Sequence, residues 1–71
     1  MNDIELENIY REHLEEDIIF CLSERRNISL DEAMKYYYTS KLANRIHEDK
    51  FGIRYLDYTI LTDLLENEIV M

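Results

Sequence analysis

The chain has 71 residues, 16 acidic against 8 basic side chains, a net charge of −8, one Gly, no Pro and one Cys. That length holds at most one domain. A lone Cys rules out an internal disulfide or a zinc-thiolate cluster, and the acidity argues against direct nucleic-acid binding, whose footprint is a basic surface.

Hydrophobic residues make up 46% of the chain, too many for a disordered acidic tail. So small a domain buries a reduced fraction of its surface, so association is expected, with a homodimer as the simplest form. Residues 1–7 are acidic and polar, unlike the basic start and apolar run of a signal peptide. The longest apolar run, residues 18–22, is far short of the roughly 20 residues that span a bilayer. A cytoplasmic protein without membrane contact is the expectation.

Without Pro to break any pattern, the chain reads as helices joined by short turns. The first helix is predicted from about Asp3 to Arg26, capped by Asn2 or Asp3. Its apolar stripe is Ile4, Leu14, Ile18, Cys21 and Leu22, ending at Arg25. Glu7, Arg11 and Glu15 make an i, i+4 ladder expected to face water. Ile19 and Phe20 widen the apolar surface, so the helix centre should face partners on two sides. Asn27 suits a left-handed stop.

Ser29-Leu30-Asp31-Glu32 reads as a capping box, with Ile28 and Ala33 at the hydrophobic-staple positions. A second helix follows from Leu30, with Leu30, Ala33, Met34 and Tyr37 as apolar positions and Tyr38 at the edge of that set. Thr39-Ser40 either ends it, with a third helix over 41–50, or bends one helix over 30–50. Residues 53–55 are expected to be briefly extended after Gly52. The last helix is predicted over 56–69, with Asp57 in its first turn and Tyr58, Leu61, Leu64, Leu65 and Glu68 near helical spacing.

Charge is uneven. Residues 1–24 carry eight acids and one base; residues 25–54 carry four acids and seven bases; residues 55–71 carry four acids and no base. A basic middle between acidic ends can neutralise itself internally or across a two-fold axis.

No catalytic, cofactor or metal residue is assigned. His13 and His47 lie 34 residues apart, outside any zinc motif. Glu12, Glu15, Glu16 and Asp17 lack the turn and alternation of a calcium loop. Cys21 sits in the apolar run, about 12 Å of helix from His13. One Gly cannot build a phosphate loop.

The tyrosines carry more information. Tyr36-Tyr37-Tyr38 sweeps about 200° of a helix, so all three cannot face one core. Tyr37 is the core candidate. Tyr36, Tyr38, Tyr55 and Tyr58 join Ile19 and Phe20 as a candidate interaction surface, because tyrosine is favoured at protein contacts. Glu12, Glu15 and Glu16 are expected to steer a basic partner. The alternative is a nucleic-acid-linked regulator, as an acidic DNA mimic or a weak binder through the basic middle segment.

From Asp17 onward the chain resembles the bacterial family Domain of Unknown Function 3791. The resemblance rests on IIFCL at 18–22, ISLDEAMKYYYTSK at 28–41 and GIRYLDYTILTDLLENE at 52–68. It implies a small, mostly helical accessory protein with a regulatory or antitoxin-like role and carries over no catalytic residue. The combined expectation is an all-α, compact bundle of three to four helices with a long N-terminal helix, forming one domain over 1–71. Its expected role is protein–protein interaction rather than catalysis.

Overall fold

In the computed structural model, which describes the backbone of residues 3–48 and 53–69 and the side chains of 9–48, 53 and 55–69, α1 spans Asp3–Arg26. Its 24 residues measure about 36 Å and account for the 39 Å long axis of the molecule. Asn27 ends α1 at φ 54°, a region Asn tolerates better than most residues. The Ile28 N–H then reaches the Ser23 carbonyl at 3.1 Å and the Asn27 N–H that of Glu24 at 3.4 Å. This is the Schellman pattern, and it satisfies carbonyls the helix end would leave bare.

Helix α2 spans Leu30–Tyr38, and its first turn is capped by Ser29, whose Oγ accepts the Glu32 N–H at 3.1 Å. Ile28 packs against the core and Ala33 is fully buried, so the staple fixes how the chain enters α2. The Thr39 N–H and hydroxyl both return to the Lys35 carbonyl, which closes α2. Ser40 starts α3, Lys41–Glu48: its Oγ donates to the Tyr37 carbonyl and accepts the Ala43 N–H at 3.1 Å. Residues 30–48 are therefore two helices. The expected end of the third helix at 49–50 and the Phe51-Gly52 break lie outside the described residues.

Two expectations are corrected near the last helix. Residues Ile53–Tyr55 form a 3-10 turn instead of an extended segment, closed by the Leu56 N–H on the Ile53 carbonyl. Helix α4 spans Tyr58–Ile69, so Asp57 precedes it as a cap. Asp57 Oδ1 accepts the Thr59 N–H at 2.9 Å and the Thr59 hydroxyl at 2.8 Å. A short acidic side chain that captures the amide two residues on favours the cap over the helix interior.

The molecule is an all-α bundle of four helices, with no strand among the described residues. α1 packs against both α2 and α4, and α3 packs on α4, α2 and the 3-10 turn. The core joins Leu14, Ile18, Ile19 and Leu22 to Ala33 and Tyr37, to Leu42, Ala43 and Ile46, and to Leu61 and Leu65. Each large side chain fully buried there contributes about 1.5–3 kcal/mol. The wide apolar surface of α1 is thus covered from two sides within the chain, except at Phe20. Ile19, expected on an outer interaction surface, is 5% exposed and belongs to this core.

Charge also closes internally. Arg25 donates to Asp63 and, at 3.3 Å, to Glu66, and Arg26 lies 3.8 Å from Glu66. The hydrogen bond to Asp63 is the main cause that raises the Arg25 pKa above its ordinary value. The start of the basic middle segment therefore pairs with the acidic C-terminal helix. Among the described residues, no helix is long and apolar enough to cross a membrane.

Candidate functional site

Glu15 decides how α1 meets its neighbours. It was expected on the wetted ladder and among the steering acids, yet it is 6% exposed. The Tyr37 hydroxyl donates to Glu15 Oε2 at 2.6 Å, and His47 Nε2 lies 3.1 Å from the same oxygen. One carboxyl group thereby ties α1 to α2 and α3. Burial, followed by the hydrogen bond and charge of Glu15, pushes the Tyr37 phenol well above its ordinary pKa. Arg11, one turn earlier, is part-buried, and its Nε has no hydrogen-bond partner among the described residues. Glu15 is thus drawn off the wetted ladder toward the core, because Tyr37 and His47 supply it with polar partners.

The remaining candidates fall into two places. On the first, Glu12, Glu16 and Phe20 follow one another at i, i+4, i+8 along α1, and all are exposed, Phe20 by 56%. Leu30, Met34 and Tyr38 repeat that spacing on α2 and are also exposed, Tyr38 by 57%. Helices α1 and α2 pack together, and the Tyr37–Glu15 bond places the Tyr38 end of α2 beside the Glu12–Glu16 part of α1. Partial burial, then the charges of Glu15, Glu12 and Glu16, raise the Tyr38 phenol. The Tyr38 ring meets Tyr37 edge-on, with centroids 5.1 Å apart at 75°. This contact anchors the exposed ring to the buried one. The surface is an apolar stripe bordered by two carboxylates. Leu30 and Met34 share the apolar spacing of α2 with Ala33 and Tyr37, yet both are exposed. Helix α2 turns Ala33 and Tyr37 inward, which leaves Leu30 and Met34 on its flank.

The second place lies at the start of α4. Tyr55 and Tyr58 line an open depression of about 270 Å³ with Tyr10, His13, Leu14, Asp17, Leu56 and Asp57. Tyr10 was not singled out in the sequence. Its ring lies 5.9 Å from that of Tyr55, tilted by 39°. Tyr36 stands apart from both places, exposed on the other flank of α2 from Tyr38.

Among the described residues, no group of three or more His, Cys, Asp or Glu side chains could hold a metal ion. Cys21 is half-buried and unpaired by any disulfide. No protein-family model, no curated protein and no solved structure matches this chain.

Proposed function

We propose that this chain is a protein–protein interaction module that presents the α1–α2 face to a basic partner. The supporting observation is the pair of parallel stripes: Leu30, Met34 and Tyr38 with Phe20 offer apolar surface, and Glu12 and Glu16 border it with negative charge. A contiguous apolar patch with a charged border is the pattern of a docking surface. The complementary occupant is an amphipathic helix with apolar anchors one turn apart and Lys or Arg along one edge. The acidic border steers its approach and fixes its register.

The same charges weigh against the homodimer expected from chain size, because two copies docked through this face oppose their carboxylates. The resemblance to Domain of Unknown Function 3791 adds a regulatory or antitoxin-like role to the proposal. Arg25 and Arg26, the first cations of the basic middle segment, are already paired with α4, which leaves less positive surface for a nucleic-acid reading.

The test is capture on the tagged chain alongside Met34→Glu and the double variant Glu12→Lys, Glu16→Lys. A partner held by the native chain and released by both variants supports the proposal. A partner held equally by all three contradicts it. Sedimentation at several concentrations separates a second copy from a different protein.

A further inference from the structure

The depression at the start of α4 lies on the other flank of α1, and the α1–α2 face does not use it. Three tyrosines line it, Tyr10, Tyr55 and Tyr58, beside His13; the Tyr10 and Tyr55 rings adjoin each other, and Tyr55 is 66% exposed. Two carboxylates share the rim, Asp17 from α1 and Asp57 from the α4 cap. Hydrogen bonds from the Thr59 N–H and hydroxyl lock Asp57 in place. The same bonds, the backbone one first, hold its carboxyl below the usual range, so it is charged at neutral pH. Leu14 and Leu56 give the depression an apolar floor and side.

Aromatic faces carry negative quadrupole charge, and a cation within about 6 Å of a ring centroid is attracted to them. Carboxylates at the rim add to that attraction and repel anions. An apolar ligand would leave the two acids unused, and an anion would be excluded. A flat, forked cation uses both features, because it stacks on a ring and donates in the plane toward oxygen. A compact ammonium offers no stacking plane.

We infer that the Tyr10–Tyr55–Tyr58 depression, with Asp17 and Asp57 on its rim, binds an arginine side chain presented by a partner protein. The site goes beyond the α1–α2 face and does not depend on it. Arginine on a surface segment enters from the open side, its guanidinium stacks against a tyrosine ring and its N–H groups point to the carboxylates.

The experiment is an NMR titration of the intact chain with an N-acetylated, C-amidated Gly-Arg-Gly peptide. The controls are its citrulline counterpart, which keeps the shape and loses the charge, and spermidine. The expected result is shift changes centred on Tyr10, Asp17, Tyr55 and Tyr58, with the citrulline peptide about tenfold weaker. Tyr55→Ala and Asp17→Asn, both at exposed positions, should each weaken the arginine peptide several-fold while melting as the native chain does. Met34→Glu, on the other surface, should leave the titration unchanged. The assignment is overturned if citrulline binds as well as arginine, or if spermidine binds more tightly. It is also overturned if shifts spread evenly over Glu12, Glu16 and Glu24 and survive Tyr55→Ala, or if Met34→Glu abolishes them. None of these failures touches the α1–α2 proposal, whose variants lie elsewhere.

Discussion

The Tyr37 hydroxyl donates a 2.6 Å hydrogen bond to Glu15 Oε2, and both side chains are buried. Through this bond α2 is held on α1. Removing the hydroxyl leaves a buried acceptor with one partner fewer. Tyr37→Phe is expected to lower stability by about 1–3 kcal/mol in urea unfolding. Glu15→Ala, which strips the partner from both Tyr37 and His47, should cost more than Glu15→Gln, which keeps an acceptor. A Tyr37→Phe chain as stable as the native one would contradict this role.

Alkaline pH tests the same contact by another route. The Tyr37 phenol is raised in the folded chain, while in the unfolded chain it ionises near its ordinary value of 10.0. Below that pH both states hold the proton and stability is complete. Above it the unfolded state sheds the proton first, so stability falls as pH rises toward the folded-state value. Urea midpoints measured on either side of pH 10 should therefore decline in the native chain. They should decline less in Tyr37→Phe, with a residual slope from Tyr38, whose phenol is also raised. Identical slopes would show that Tyr37 keeps no proton advantage on folding.

Glu68 caps α3 from a distance. Its two carboxylate oxygens accept the Lys41 N–H at 2.8 Å and the Leu42 N–H at 2.9 Å. These amides have no partner inside the helix, and a negative charge at a helix start is favourable. Glu68→Ala should cost about 0.5–2 kcal/mol and speed hydrogen exchange at the Lys41 and Leu42 amides. Unchanged exchange at both would remove Glu68 from this role.

Arg25 should matter less than its contacts with Asp63 and Glu66 suggest. It is exposed, and its ionic partners Asp63 and Glu66 lie on α4 beside solvent. Asp63→Asn is expected to cost less than about 1 kcal/mol in thermal unfolding. The loss should shrink further at high salt. A larger, salt-independent loss would point to a packing role for the Asp63 side chain.

Local chemistry was legible in the sequence, and distant pairing was not. The Asn27 stop, the Ser29 cap and the inward Tyr37 follow from neighbours within one helical turn, whereas the Ser40 cap that divides 30–48 into two helices did not follow from periodicity. Glu15 looked solvated because its helical neighbours are polar, and its partners Tyr37 and His47 stand 22 and 32 residues away. Glu68 fell on an apolar stripe for the same reason: its role is to meet amides 26 and 27 residues earlier. Tyr10 gave no signal until the bundle placed its ring beside Tyr55. Ile19 was read as outward because periodicity shows the width of an apolar surface but not whether the chain itself covers it.

Site-specific photo-crosslinking reads directly whether the α1–α2 stripes receive a partner. A benzoylphenylalanine placed at Phe20 or Met34 should cross-link a basic partner in cells. The same probe at Asn44, exposed on α3 away from both stripes, should not. Adding Glu12→Lys and Glu16→Lys should abolish the Met34 cross-link. A partner trapped equally from Asn44, or no cross-link from either stripe, would show that the α1–α2 face is not the docking surface.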